Sequence, residues 1–216
     1  MIVLAIDTAL PACSAAVLAG ERVLAQRSEP MVKGHQERLA PLVKELMAES
    51  GIDFDKLDRI GVTVGPGSFT GLRVGMAFAK GLALALDIPA VGIGSLEALA
   101  ASLPAREAKP GEVIAAVIDA RRDQVYLQVF RDGRAWDEPQ ALSANDAVVE
   151  IARAAGDRHI QLLGTGAVLL APRLARAQIA SVETPDPVVV ARLAAAGDPQ
   201  PLRPIYLRAP DAKLPL

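Results

Sequence analysis

The chain has 216 residues, 51% of them hydrophobic and 22% charged, with 23 Lys and Arg against 25 Asp and Glu for a formal charge of −2. Near-neutral charge and an aromatic content of 3% exclude the basic stripe and stacking platforms of a stand-alone nucleic-acid binder. Mean hydropathy is +0.29, yet the longest stretch free of Asp, Glu, Lys and Arg, His159 to Pro172, falls short of the roughly 18 residues a bilayer span needs. The apolar excess is therefore expected in a core and in interfaces, with no membrane association. Met1 to Asp7 has no basic segment ahead of its apolar run, so no secretory signal is expected. A single cysteine, Cys13, excludes an intramolecular disulfide framework and suits a reducing, cytoplasmic setting.

Ile2 to Ile6 reads as a first strand ending in Asp7-Thr8. Ser14 to Ala19 and Arg22 to Arg27, joined by Gly20-Glu21, read as a hairpin that completes a β-meander. From His35 to Ser50, Leu39, Leu42, Val43, Leu46 and Met47 recur at i, i+3, i+4, i+7 and i+8, the signature of an amphipathic helix stopped by Gly51. Pro41 lies inside that pattern, so either a kink or a later helix start is expected. Arg59 to Val64 is a buried strand, and the glycine-rich loop Gly65 to Thr70 leads into a helix over Gly71 to Leu86. Ala90 to Ile93 forms a further strand and Ser95 to Ser102 a short helix, followed by a linker over Pro104 to Pro110. The opening theme then returns: Val113 to Ile118 is a strand ending in Asp119-Ala120, and Gln124 to Phe130 is a strand closed by Arg131-Asp132-Gly133. Helices are expected near Ala144 to Ala155, Thr165 to Arg176 and Val188 to Ala196, alternating with short strands. The tail carries Pro199, Pro201, Pro204, Pro210 and Pro215 and is expected to cross the surface as extended chain. The fold class is α/β, in two lobes with a duplicated β-meander plus helix plan. The expected division is an N-terminal lobe over 1–103, a C-terminal lobe over 104–198 and a tail over 199–216.

Gly65, Gly67, Ser68 and Thr70 sit between strand and helix, with Arg73 one turn in. Amides at a helix N-terminus, close-approach glycines and an arginine suit a phosphate or other anion. Strand-to-helix turns also need glycines simply to turn, so both readings stand. No Gly-Lys-Ser or Gly-Lys-Thr follows, which excludes a Walker A loop. In the following helix the only charges are Arg73 and Lys80, while Gly71, Gly75 and Ala79 form a small-residue stripe. A helix so apolar must be covered on more than one side, either by the His35 to Ser50 helix, by a partner subunit, or as the centre of one larger core.

Catalytic constellations are thin. His35 and His159 are single and far apart, no HxxxH or HExxH occurs, and no metal site is expected. Cys13 reads as a packing residue, and no Gly-x-Ser-x-Gly elbow exists. Asp7 and Asp119 end corresponding strands, where an interlobe cleft would aim carboxylates at a hydrated magnesium ion, although Asp also commonly caps turns. Gly164-Thr165-Gly166, at a strand-to-helix turn, would suit an adenosine.

Met1 to Thr8, His35-Gln36-Glu37-Arg38-Leu39-Ala40-Pro41-Leu42, Gly65 to Gly75, Asp119 to Tyr126 and Pro204 to Arg208 resemble, in this order, the bacterial TsaB (YeaZ) family. The resemblance implies the two-lobed actin/Hsp70/sugar-kinase (ASKHA) superfold. It also implies a catalytically silent relative of TsaD, the subunit that transfers threonylcarbamoyl to the adenosine beside the tRNA anticodon. In TsaD two histidines one turn apart hold the catalytic metal; the resemblance places Ser95 and Leu99 at those positions, and neither replaces imidazole. It further implies pairing with TsaD through N-lobe helices, recruitment of the ATPase TsaE, tRNA held only indirectly through the complex, and a homodimer when the chain is alone. The expected interface is Leu39, Leu42, Val43, Met47, Gly71, Gly75, Met76, Ala79 and Lys80. No cofactor is expected to bind tightly. Weak ATP or ADP binding in the interlobe cleft, or through partners, would engage Asp7, Thr8, Gly65, Gly67, Ser68, Thr70, Arg73, Asp119, Gly164 and Gly166. The rival reading is an ATP-dependent small-molecule phosphotransferase of the same superfold, or a glycoprotease-like peptidase.

Overall fold

The computed structural model describes residues 1–107, 109–199 and 201–208; the expected tail residues Pro210 and Pro215 lie outside them. Strand β1 (Ile2–Asp7) pairs antiparallel with β2 (Ala12–Ala19), which pairs antiparallel with β3 (Arg22–Pro30), the hairpin turning at Gly20 with φ 59°. Helix α1 (His35–Ser50) follows, then β4 (Arg59–Gly65), helix α2 (Phe69–Leu86), β5 (Ala90–Gly94) and helix α3 (Ser95–Ala101). β4 lies parallel to both β1 and β5, giving a sheet of order β3-β2-β1-β4-β5.

The second half repeats the plan. β6 (Val113–Arg121), β7 (Gln124–Arg131) and the short β8 (Arg134–Ala135) form a meander, with β9 (Gln140–Ser143) also on β7. Helix α4 (Ala144–Ala155), β10 (Ile160–Leu163), helix α5 (Ala167–Leu170), β11 (Ala177–Ile179) and helix α6 (Pro187–Ala196) follow. β10 and β11 extend the sheet in parallel on the β6 side, so its order is β11-β10-β6-β7-β8. Each lobe is therefore a meander continued by two parallel strands, the duplication expected from the sequence.

Helix α1 begins at His35 and continues through Pro41, so there is no later start. Proline forfeits one backbone hydrogen bond, while Leu39, Leu42, Val43, Leu46 and Met47 anchor the helix in the core. The helix expected over Thr165 to Arg176 is reduced to α5 and a 3-10 turn at Ala171–Arg173, because Pro172 lacks the N–H that would carry the helix on. Helices α1 and α2 cover one face of the first sheet. The other face is covered by α6, through Val188, Val190, Ala191 and Ala194 against Val3, Ala5, Ala16 and Leu18. Helix α6 lies within the segment assigned to the second lobe by sequence, yet it packs on the first. Leu96, Leu99 and Leu103 from α3 and the residues just after it join Ala116, Ile118 and Leu163 in a further apolar cluster that ties the lobes together.

Candidate functional site

A cleft of about 500 Å³ opens between the lobes, its walls formed by Ala9, Leu10, His35, Gly67, Ser68, Ile118, Asp119, Arg121, Tyr126 and Thr165. The segment after β1 and the end of the corresponding strand β6 both contribute to it, Ala9 and Leu10 from the first and Asp119 to Arg121 from the second. Asp119 accepts from the Arg121 amide at 2.8 Å and pairs with its guanidinium at 3.1 Å, while the Asp119 amide donates to the Thr165 hydroxyl at 3.1 Å. Arg121, Arg122 and Asp123 all take left-handed backbone, with φ of 64°, 54° and 57°.

Asp7 behaves differently. It is fully buried; its Oδ1 accepts from the Thr63 hydroxyl at 2.5 Å and from the Ala9 amide at 3.0 Å, and Oδ2 has no partner. Burial raises its pKa against the opposing effect of those donors and of nearby His35. The expectation that Asp7 and Asp119 together face the cleft is thus corrected: Asp7 is turned into the first sheet, and only Asp119 lines the wall. Among the described residues no group of three or more His, Cys, Asp or Glu side chains could hold a metal.

The glycine-rich loop is spent on packing. A Cβ on Gly67 would overlap the Ala9 carbonyl oxygen, one on Gly71 the Thr8 carbonyl oxygen, and one on Gly65 would come within 2.8 Å of the Ile205 carbonyl oxygen. The Ser68 amide donates to Ala9 at 2.7 Å, and the Ser68 hydroxyl caps α2 by accepting from the Gly71 amide at 3.2 Å. Of the residues expected to bind an anion, Gly67, Ser68 and Asp119 reach the cleft; Thr70 lines a smaller hollow beside His35; Thr8 and Gly65 are buried; and Arg73 is exposed. Gly164 and Gly166 pack against Val117 of β6, with Leu99 also against Gly164. His35 lines both hollows with a buried Nε2 that has no partner. A lone histidine in an amphipathic helix gave no signal of that position beyond its rarity.

The expected interface is corrected as well. Leu39, Leu42, Val43, Met47, Gly71, Gly75, Met76 and Ala79 are buried inside the first lobe, and of the nine only Lys80 is exposed. Helix α2 has the length and mean hydropathy, 1.3, of a membrane-crossing helix, but its inner face packs into the core. Only 33% of that window is buried, so the outer face, with Ala77, Lys80, Gly81, Leu84 and Ala85, stands in solvent.

Residues 22–195 match the family described as TsaD, tRNA N6-adenosine threonylcarbamoyltransferase. The tRNA threonylcarbamoyladenosine biosynthesis protein TsaB of Haemophilus influenzae is 42% identical over 60% of this chain and 54% of its own length. An uncharacterized Mycobacterium tuberculosis protein is 36% identical over 98% of this chain and 93% of its own. The solved structure of YeaZ from Pseudomonas aeruginosa superposes with a TM-score of 0.81 at 29% identity, covering 95% of this chain and 99% of that one.

The chain belongs to the TsaB (YeaZ) family. The inorganic polyphosphate/ATP-glucomannokinase of an Arthrobacter strain shares the fold of this TsaB-family chain, with a TM-score of 0.53 at 12% identity. In this chain, Ser95 and Leu99, where the resemblance places the TsaD metal ligands, are wholly buried. Leu99 fills the apolar cluster between the lobes, and the Ser95 hydroxyl has no hydrogen-bond partner. This donor set does not fit a metal of the TsaD type.

Proposed function

We propose that this chain is a non-catalytic subunit of the machinery that threonylcarbamoylates the adenosine next to the tRNA anticodon, pairing with TsaD and helping to recruit TsaE. The observation that carries the reading is Leu99. At a position where a transferase of this lineage needs an imidazole, an aliphatic side chain is packed against Gly164 and the second-lobe sheet, so a metal-assisted transfer has no ligand there. The outer face of α2 supports a pairing role, since Leu84 is 85% exposed and its neighbours are small. A patch of this kind marks an interaction surface. In the absence of TsaD the same face would pair two copies of the chain, because one patch can meet itself across a two-fold axis. A phosphotransferase gains little support: the Gly164 and Gly166 turn is closed against Val117, and Asp7 is fully buried and bonded to Thr63 instead of lining the cleft.

Reconstitution tests the proposal. Threonylcarbamoyl-adenylate synthase, TsaD, TsaE, ATP and tRNA are combined with and without this chain, and modified adenosine is measured. Product is expected only with the chain present, and also with a folded Asp119→Ala variant. Equal product without the chain overturns the subunit reading. Loss of product with folded Asp119→Ala reopens the cleft as a catalytic site.

A further inference from the structure

A ridge of aromatic and cationic side chains runs beside the interlobe cleft, and the subunit role argued above does not use it. Phe69, at the start of α2, and Tyr206, in the returning tail, stand with ring centroids 5.5 Å apart at 37°. They are 42% and 44% exposed, in a chain with four phenylalanines and two tyrosines in all. The Arg73 guanidinium lies over the Phe69 ring at 3.7 Å. Past Tyr206 the ridge continues to Arg208, which donates to the Ala120 carbonyl at 3.2 Å, and so meets the turn that carries Arg121 and Arg122. Arg203 is exposed on the same tail.

The rings are held in place before any ligand arrives. Leu202 is buried in the first-lobe core and the Ile205 amide donates to Val64 at 2.8 Å, which fixes the tail on either side of Arg203 and just ahead of Tyr206. Nearby carboxylates are Asp119, paired with Arg121 at 3.1 Å, Asp123 on the same turn, and the exposed Glu37, which shares a hollow with Ser68, Thr70 and Val74. Arginine is thus concentrated here in a chain whose net charge is −2. An acidic peptide would answer the arginines but leave the rings unused. A polymer with phosphates and flat, unstacked bases answers both, because bases stack on aromatic faces while guanidinium groups contact the backbone.

We infer that this ridge is a contact for a single-stranded segment of RNA, with bases on Phe69 and Tyr206 and phosphates on Arg73 and Arg203. The inference rests on the tRNA-modification reading for the identity of the polymer alone. Its small footprint makes it an auxiliary contact, in keeping with a composition that excludes a stand-alone binder.

The test is fluorescence anisotropy of the full chain with a labelled unstructured RNA oligonucleotide at low salt, and with an RNA duplex for comparison. Saturable binding that favours the single strand is expected. Phe69→Ala and Tyr206→Ala should each weaken it about tenfold, the scale of one lost stacked base. Tyr206→Phe should bind like the parent, and Arg73→Gln should lower the salt slope by about 0.7. Ultraviolet crosslinking of the unaltered chain should give adducts at Phe69 or Tyr206, a readout that stands if an alanine variant fails to fold. Absence of saturable binding, unchanged affinity in folded ring-removal variants, or crosslinks confined elsewhere overturns the inference. Ring variants that spare RNA binding but weaken association with a second subunit overturn it too, and make the ridge a protein contact. Failure here leaves the reconstitution requirement standing, and a failed reconstitution leaves an RNA affinity measurable.

Discussion

The Thr8 hydroxyl donates to the Gly71 carbonyl at 2.7 Å and stands where a Cβ on Gly75 would come within 2.5 Å of it. The glycine stripe of α2 is therefore a seat for the turn after β1. Gly75→Ala should cost about 1–3 kcal/mol of stability through overpacking and the displaced hydroxyl, and Gly75→Asp should fail to fold. Urea denaturation of Gly75→Ala beside Thr8→Ala and Gly75→Ala/Thr8→Ala, in which the crowding hydroxyl is gone and the two costs should be less than additive, checks this. If Gly75→Ala is as stable as the parent, the contact between α2 and Thr8 is slack and the stripe regains its claim to an interface.

The opposite face of α2 makes the complementary prediction. Leu84 touches little in the chain, being 85% exposed, so Leu84→Asp should leave stability within about 0.5 kcal/mol. It should nonetheless weaken pairing strongly, because burying an unpaired carboxylate in an apolar contact is costly. Light scattering of the isolated chain and co-purification with TsaD read this directly. Unchanged association of Leu84→Asp, with the melting temperature also unchanged, would move the pairing surface off this helix.

Asp7 gives a pH dependence whose sign follows from its burial. Its carboxyl is raised above the ordinary value of 3.8, so the folded chain keeps the proton at pH values where the unfolded chain has lost it. Stability contributed by this group is present below 3.8 and is lost as pH rises through the folded value. Asp7→Asn cannot ionise and its Oδ1 still accepts from Thr63 and Ala9. The variant should show a flatter fall of stability from acid to neutral pH and be at least as stable as the parent at neutral pH. Asp7→Ala strands both donors and should cost about 1–3 kcal/mol. A parent chain that instead gains on Asp7→Asn as pH rises would mean that the site holds a stabilised carboxylate.

Local signals made much of this legible. Gly20 between two apolar runs gave the hairpin, the spacing of Leu39, Leu42, Val43, Leu46 and Met47 gave α1, and the return of a strand ending in Asp119 gave the second lobe. Where the pattern is read without its partners it becomes ambiguous. A stripe of Gly71, Gly75 and Ala79 permits close approach by anything, and only the tertiary position of Thr8 reveals that its own turn fills it. Likewise Asp7 and Asp119 are matched in sequence, yet one is captured by Thr63 from a neighbouring strand and the other by Arg121. The course of α6 was hidden for the same reason, since periodicity shows an apolar face but not which sheet it covers.

That crossing of α6 to the first sheet has a specific fastening. Nη1 of Arg59, on β4, donates to the carbonyls of Ala194, Ala195 and Gly197 at 2.8, 3.2 and 2.6 Å, collecting the acceptors that a helix C-terminus leaves open. The positive charge also meets the negative end of the helix dipole. Below it, Gly61 lets the helix lie on the strand, since a Cβ there would stand 2.5 Å from that of Ala194. Arg59→Met keeps most of the aliphatic stem but leaves three carbonyls without their donor, and should cost about 1–3 kcal/mol. Hydrogen exchange should rise first in the last turn of α6, around Leu193 to Ala196, because that end is held by the arginine while the other is capped by Asp186 through the Val188 amide at 2.8 Å. Gly61→Val should expose the whole helix to exchange by lifting it from the sheet. Equal exchange in Arg59→Met and parent would assign the fastening to apolar packing alone, through Val188, Val190, Ala191 and Ala194.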